Sequence, residues 1–362
     1  MPDMAGWVGG GAASPSPTPA DPSAGLTLGG RVVVRHRLPD GAGAGATDVL
    51  GVLVARDGEL LVLDTAAGRV ALRRSDVLAA RDVPPRASRA GRPHERVGID
   101  DLERLAARGW VPLEQAQLGG WLLRAASGFT GRANSVLPLG DPCLPVDEAI
   151  AFAERWYAAR GLPTVFQLPG PAGFAVDEHP LAAALLERGY TVGGDRSDWR
   201  LARVLTGAAA DVPPLTQDSV EVVADAVLTP EWLLAYGEQR ELVPGATESV
   251  LSGSEGQLFL SVRAPLPGAA GSRIVGLARM STSPGWAGVF GLWVHPDRRR
   301  HGVATALVSA IAMVARESNM PAIYLQISSD NAAGLRFWER LGFAAHHEYA
   351  HLVAPPLPEP GG

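Results

Sequence analysis

Residues 292–307 read LWVHPDRRRHGVATAL, which is the end of an apolar strand, a turn with proline and the start of a helix. From about Gly302 onward the apolar residues recur at helical spacing. The first amides of a helix have no partner within the helix and lie at the positive end of its macrodipole. Because Gly302 and Ala304 have little or no side chain, phosphate oxygens can approach these amides. The segment therefore predicts a pyrophosphate site at the start of the helix.

A second informative segment, residues 329–343, reads SDNAAGLRFWERLGF. It follows one predicted helix and one predicted strand, and in it Asn331 opens a further helix that Gly342 ends. The pattern Arg299-x-x-Gly302-x-Ala304, followed by this segment, resembles the two signature blocks of the GCN5-related N-acetyltransferases. The chain also resembles an actinobacterial subfamily with an N-terminal SH3-like barrel, some members of which are described as N-acetylglutamate synthases.

The resemblance implies an α/β (α+β) fold with a mixed sheet in which two parallel strands, Val289–Val294 and Ile323–Ile327, splay apart. The co-substrate acetyl-CoA would lie in this gap. A neutral amine would attack the thioester carbonyl directly, and a backbone amide near Val294 would stabilise the oxyanion. The residues that the resemblance assigns to coenzyme binding are Trp293, Val294, Arg299, Arg300, His301, Gly302, Val303, Ala304, Thr305, Asn331 and Trp338.

The sequence departs from the family at the acid that protonates the leaving thiolate. Family members often have a tyrosine seven residues after the asparagine, where this chain has Trp338. An indole N–H has no useful acidity, so that role does not transfer. Tyr324 and Ser328 are candidate replacements, with solvent as the alternative, and we expect Trp338 to pack against the coenzyme arm.

The general base is also undetermined, because the strand 287–294 contains no carboxylate. Glu238 and Glu241 are candidates, on a helix predicted over Pro230–Leu242, although a solvated helix face is the alternative for both. His295, directly before a proline, is expected to cap a turn. His346, His347 and His351 suggest a metal site, but no metal is expected, because residues 346 and 347 would point to opposite faces of a strand.

Polar residues in the first half suggest contacts to a substrate. Residues 121–124 and 131–135 read WLLR and GRANS, where strands are usually apolar. Arg124 and Arg132, with Asn134 beside them, are candidates to bind a carboxylate-bearing substrate across a domain interface. The chain contains no lysine, so all 32 of its basic Lys+Arg residues are arginine. An arginine at either position could therefore reflect composition alone.

Several domains are expected from the 362 residues. Short alternating apolar runs separated by turn signals predict about five strands before residue 85. Phe166-Gln167-Leu168 and Leu325-Gln326-Ile327 have similar surroundings, which indicates an internal duplication, but in the first copy Gly140-Asp141-Pro142 replaces the arginine-rich loop. The expected parts are a disordered leader (1–25), an SH3-like β-barrel (26–85), a linker (86–97), a degenerate acetyltransferase-like domain (98–205), a second linker (206–218), the catalytic domain (219–353) and a disordered tail (354–362).

Composition narrows the partners. The net charge of −6 argues against binding to nucleic acid. The single cysteine, Cys143, favours a reducing compartment. Neither a signal peptide nor a long apolar span is present. We therefore expect a cytoplasmic protein with no membrane partner, which could form a homodimer.

The function that the sequence favours is transfer of an acetyl group from acetyl-CoA to a primary amine. The expected acceptor is a small molecule such as an amino acid, with glutamate as one candidate. Two alternatives stay open at this point. The chain could acetylate a protein or peptide, or it could be a non-catalytic acyl-CoA-binding sensor.

Overall fold

The structure is a computed structural model that describes residues 21–38, 45–65, 68–83, 92–194, 201–216, 220–265 and 271–356. Most of the predicted leader, residues 86–91 of the first predicted linker and the end of the predicted tail lie outside these ranges. Within the described residues, no helix combines the length and the apolar character needed to cross a bilayer.

The N-terminal part forms a small antiparallel sheet with the strand order β4-β3-β2-β1-β5. Alternation buries one side of each strand, as at Val32 and Val34, which are both 0% exposed. The prediction of a five-stranded β domain is confirmed. Its strands are Arg31–Arg37 (β1), Ala46–Arg56 (β2), Leu60–Thr65 (β3), Gly68–Arg73 (β4) and Val77–Asp82 (β5).

The rest of the described chain forms one large mixed sheet, with the strand order β12-β13-β14-β15-β16-β11-β17-β9-β8-β7-β6 and with β10 paired to β17. Its strands are Glu114–Leu118 (β6), Trp121–Ala125 (β7), Val136–Pro138 (β8), Val165–Pro171 (β9), Thr191–Val192 (β10), Leu201–Ala208 (β11), Val223–Asp225 (β12), Leu258–Pro265 (β13), Ser272–Ser283 (β14), Trp286–Val294 (β15), Ala322–Ser328 (β16) and Ala344–Val353 (β17). The helices are Ile99–Arg108 (α1), Val146–Ala158 (α2), Ala182–Glu187 (α3), Pro230–Gly237 (α4), Ala246–Ser252 (α5), Val303–Glu317 (α6) and Ala332–Arg340 (α7).

The two halves of the large sheet exchange strands. The last strand of the first half, β11, lies between β16 and β17 of the second half, and β17 in turn pairs with β9. The start of the predicted linker 206–218 is therefore wrong, since residues 206–208 belong to a central strand. The alanine and proline content suggested a linker, but Gly207 packs closely in the sheet, where a Cβ would lie 3.0 Å from the Phe343 ring.

Parallel pairing recurs in the two halves. β8 pairs with β9 in parallel, as β15 does with β16, which agrees with the inferred duplication. The predicted helix over Pro230–Leu242 is too long, since α4 ends at Gly237. Leu242 folds back onto this glycine, where a Cβ would lie 3.1 Å from the leucine Cδ1.

A buried, hydrogen-bonded pair of side chains joins α1 to β17. His347 Nε2 lies 2.9 Å from Glu103 Oε1, and these side chains are 0% and 1% exposed. Gln167 donates a 2.7 Å hydrogen bond to the other oxygen of Glu103. The Nδ1 atoms of His346 and His347 lie 2.8 Å apart. These contacts occupy two of the histidines for which a metal was considered.

Three histidines should make stability depend on pH. Burial is the main cause that lowers the pKa values of His94, His179 and His346 from the ordinary 6.5. Below pH 6.5 the unfolded chain therefore binds more protons at these sites than the folded protein does. We expect the free energy of unfolding to keep the full contribution of these histidines above pH 6.5 and to fall as the pH is lowered. Denaturant titrations at several pH values measure this, and a level profile down to about pH 5 would contradict it.

Candidate active site

The gap expected in the sheet lies between β15 and β16. These strands pair in parallel only from Trp286 opposite Ala322 to Val289 opposite Leu325. Both continue beyond this point, β15 to Val294 and β16 to Ser328, without further pairing between them. The strands therefore splay apart toward their carboxyl ends, as the family resemblance implied.

A β-bulge alters the backbone of β15 beside the gap. The pairing register with β14 shifts between Leu277 and Arg279, so that β15 has one extra residue there. Gly291 lies in this bulge with a φ of 62°. A Cβ at Gly291 would also come within 3.1 Å of Tyr236. A bulge leaves its extra residue unpaired, which frees backbone groups at the gap.

The tip of α6 is open, as a phosphate site requires. Gly302 caps the helix in the left-handed region, with a φ of 78°, and a Cβ there would meet no described atom within 4 Å. Among the described residues, no acceptor bonds the amides of Val303, Ala304 and Thr305. These features fit the pyrophosphate of a coenzyme.

The turn before this helix is fixed by side chains. His295 Nδ1 accepts a 3.3 Å hydrogen bond from the Asp297 amide, so the expected turn cap is confirmed. Arg299 Nε donates to the Val294 carbonyl at 3.3 Å, and Arg300 adopts a φ of 62°. Residues 296–302 are exposed. The arginine-rich turn thus lies between the end of β15 and the helix tip.

The second signature segment has the expected ends. Asn331 caps α7 by accepting a 2.9 Å hydrogen bond from the Gly334 amide. Gly342, with a φ of 83°, follows the helix end, and the Phe343 amide donates to the Trp338 carbonyl. Asn331 is exposed, so a ligand could reach it.

The coenzyme contact predicted for Trp338 is wrong. This side chain is 3% exposed and lies in the core, with its ring centroid 4.9 Å from that of Phe343 and 5.2 Å from that of Phe337. Almost no surface is left for a ligand. The side chain of Val303 is also buried, so this residue could contribute only its amide.

A cavity of about 390 Å³ opens beside the splayed strands. Both halves of the sheet contribute to it, together with the loop 128–132 and the segment after α4. Its lining includes Trp110, Phe129, Arg132, Tyr236, Arg240, Glu241, Gly291, Gln326, Ser328, Tyr349 and His351.

Of the three predicted substrate contacts, the structure brings only Arg132 to this cavity. Arg124 is fully buried and donates to the Ser135 carbonyl, the Ser135 hydroxyl and Gln167, and burial lowers its pKa to about 10. Asn134 is 5% exposed. The prediction of direct substrate contact is therefore wrong for Arg124 and Asn134, since their polar groups are committed to the protein.

Asn134 instead fixes the loop that carries Arg132. Its Oδ1 accepts from the amides of Ala126 and Gly128 at 2.8 and 3.0 Å, and its Nδ2 donates to the carbonyls of Phe129 and Thr130 at 2.9 and 2.8 Å. One side chain thus holds residues 126–130 in place. Asn134 contributes to the cavity indirectly, by shaping this loop.

Three candidate catalytic residues differ in their position relative to the cavity. Glu241 lines the cavity, whereas Glu238 is exposed at the end of α4, outside the lining. Tyr324 is 0% exposed, and burial is the main cause that raises its pKa to about 12. Its side chain lies in the core and outside the cavity lining, so its hydroxyl does not reach the gap and Tyr324 is a wrong candidate.

Several residues that line the cavity were not identified as site residues from the sequence. Trp110 and Tyr349 are aromatic residues that are 3% and 4% exposed. They lie near opposite ends of the part of the chain that forms the large sheet. His351, considered only as a metal ligand, lies in the lining beside Tyr349, with ring centroids 5.3 Å apart. No local pattern marks them, because they meet only through the exchanged strands. Among the described residues, no group of three or more His, Cys, Asp or Glu side chains could hold a metal ion.

Family profiles cover most of the chain. A profile described as "Probable histone acetyltransferase Rv0428c C-terminal" matches residues 97–352. A second, described as "Rv0428c N-terminal Sm-like domain", matches residues 26–81. Together they span both sheets.

Two individual relatives and one solved structure are similar to parts of the chain. The probable histone acetyltransferase Rv0428c of Mycobacterium tuberculosis is 35% identical over 145 residues, which are 39% of this chain and 44% of the relative's length. The uncharacterized N-acetyltransferase YobR of Bacillus subtilis is 24% identical over 70% of this chain and 98% of its own. A GCN5-related N-acetyltransferase structure from Kribbella flavida has 19% identity and a TM-score of 0.49, covering 71% of this chain and 95% of that one.

Proposed function

The chain belongs to the GCN5-related N-acetyltransferases, in the family of the Rv0428c C-terminal region, and from this we propose that it transfers an acetyl group from acetyl-CoA to the primary amine of a small molecule. The observation that carries the proposal is the open tip of α6 beside splayed strands, next to a cavity of about 390 Å³. Glutamate is one candidate among amino-acid acceptors.

The residues around the gap fit acetyl-CoA. Its pyrophosphate would be held by the amides of residues 303–305, with Arg299 and Arg300 alongside. Its pantetheine arm would follow β15 near Trp293 and Val294, where the strand has no partner on the β16 side. The coenzyme supplies an activated acyl group as a thioester.

The chain's own groups would prepare the amine. Glu241 is the one carboxylate among the described residues that line the cavity, so it is the proposed acceptor of the amine proton. A backbone amide near Val294 would stabilise negative charge on the acyl oxygen. No acid is needed for the thiolate beyond solvent, because a thiolate is already a good leaving group.

A small acceptor is favoured by the walls of the cavity. Its volume lies at the lower end of the usual range of small-molecule sites, about 300–1,000 Å³. The loop 128–132 of the first half forms one wall and would narrow the approach for a folded protein. A protein acceptor is the second candidate, because the M. tuberculosis relative is described as a probable histone acetyltransferase.

Release of free thiol from acetyl-CoA tests the proposal directly. The full-length protein is assayed with amino acids, simple amines and a lysine-rich histone-tail peptide. Acceptor-dependent release with small amines supports it, and release with the peptide alone would move the acceptor class to proteins. Tight acetyl-CoA binding with no release on any amine would indicate the sensor instead.

Glu241→Gln should lower kcat/KM at pH 7 by about 100-fold or more, because general bases contribute roughly 10²–10⁴-fold. The deficit should shrink at higher pH, where more of the amine is already neutral. Tyr324→Phe is the control and should stay within about threefold of the wild type, since its buried hydroxyl has no route to the gap. The reverse pattern would return Tyr324 to the site.

A further inference from the structure

Arg132 is a half-buried cation without an acidic partner among the described residues. Its guanidinium lies 5.3 Å from the ring centroid of Trp110 and 5.6 Å from that of Phe290, and these two rings stack 5.1 Å apart. Its one hydrogen bond to a side chain of the described ranges is donated by Nη1 to Gln326 Oε1. Stacking and one neutral acceptor satisfy a guanidinium only in part, because it has five N–H donors.

Several other arginines donate to acceptors within the described residues. At a second cavity, of about 440 Å³ between the small sheet and α1, Arg108 pairs with Asp82 at 2.7 Å. Arg56 donates there to three backbone carbonyls, and the buried Arg279 donates to the carbonyls of Leu251 and Gly109. Arg132 differs because it faces an open cavity. Withdrawing a charge from water without a partner is costly, so its position indicates a missing anion.

The charge of the cavity points the same way. Its described lining carries Arg132, Arg240 and the single carboxylate Glu241. A simple ammonium ion entering this cavity would meet a net positive wall. An acceptor that carries its own anionic group would be attracted by the arginines while its amine lies near Glu241.

We propose that Arg132 determines acceptor specificity by binding a carboxylate of the amine substrate, so that the acceptors are amino acids rather than simple amines. This rests on the proposed acetyltransferase function. The planar guanidinium is held by Trp110 and Phe290, with Gln326 fixing one end. The remaining N–H groups match the geometry of a carboxylate. The loop held by Asn134 brings this residue from the first half of the chain to the site of the second.

Matched substrates test the proposal. Each L-amino acid is compared with the amine that lacks its α-carboxylate, in wild type and in Arg132→Gln. We expect the variant to lose about 100-fold in kcat/KM for the amino acids, as for a buried charge pair that loses one partner. The decarboxylated amines should change less than about threefold. For the amino acids, Arg132→Lys, which keeps the charge but not the planar fork, should have a kcat/KM between those of the wild type and Arg132→Gln.

Arg160→Gln is the matched control, since Arg160 also stacks on a tryptophan, 3.7 Å from the Trp156 ring centroid, but does not line the cavity. It should leave the preference unchanged, and thermal unfolding of all variants shows whether they are folded. Equal loss for both substrate types in Arg132→Gln, or no wild-type preference for amino acids, would overturn the specificity role while the acetyltransferase function stands.

A binding measurement keeps the two proposals separate. If no amine is turned over, the acetyltransferase proposal fails by itself. In that case, calorimetry with N-acetyl-L-amino acids and with matched N-acetylamines tests whether Arg132 binds a carboxylate. Carboxylate-dependent binding that Arg132→Gln abolishes supports the site, and absence of any such binding overturns it.

Discussion

Replacing Gly302 by glutamate is expected to weaken acetyl-CoA binding by about 100-fold or more, because juxtaposed like charges cost several kcal/mol. The new carboxylate would lie at the start of α6, where the free amides of residues 303–305 would otherwise receive the pyrophosphate. It would both occupy these donors and repel the phosphates. Calorimetric titration with acetyl-CoA measures the effect.

Gly302→Ala separates charge from backbone strain. At a φ of 78° any L-residue costs roughly 1–2 kcal/mol of stability, and this cost is common to both variants. The Gly302→Glu variant should be no less stable than the Gly302→Ala variant, since an acidic group at a helix start is favourable by about 0.3–1 kcal/mol. Wild-type affinity in Gly302→Glu would mean that the pyrophosphate binds elsewhere.

Glu103→Leu is expected to lower the free energy of unfolding by about 2–6 kcal/mol, because it leaves two buried polar groups without a partner, at about 1–3 kcal/mol each. His347 would remain in the core, 0% exposed, without its carboxylate. Gln167 would lose its acceptor as well. Urea denaturation followed by circular dichroism measures the change.

The double variant Glu103→Leu/His347→Leu should recover much of that loss, because a well-packed apolar replacement of a buried pair is often neutral. Glu114→Gln is the surface control. Glu114 pairs with Arg160 at 2.9 Å but is 60% exposed, so its loss should be within about 1 kcal/mol. A single-variant loss as small as this control would show that the pair contributes little to holding α1 on β17.

The expected coenzyme half of the site could be predicted because its determinants are local. The open helix start depends on Gly302 and Ala304, which are two residues apart, and the cap of α7 on Asn331 and Gly334, three apart. The splay of the two strands was implied by the family resemblance, whereas neighbours along the chain fix the helix start and the cap.

The acceptor half could not be predicted in the same way. From the sequence, Arg124 and Arg132 are equally good candidates to bind a substrate. In the structure Arg124 is buried against Ser135 and Gln167, whereas Arg132 faces the cavity. Composition also misplaced the second linker, since it could not show that β11 lies between β16 and β17.

The open helix start could be derived from the sequence because spacing and small residues encode it locally, and the family with its mixed sheet followed from the resemblance of two signature blocks. Only the tertiary structure decided which polar side chains meet at the cavity. The exchange of β11 and β17 brings residues as distant as Trp110 and Tyr349 together, and burial then separates the groups that hold the fold from those left to meet a substrate.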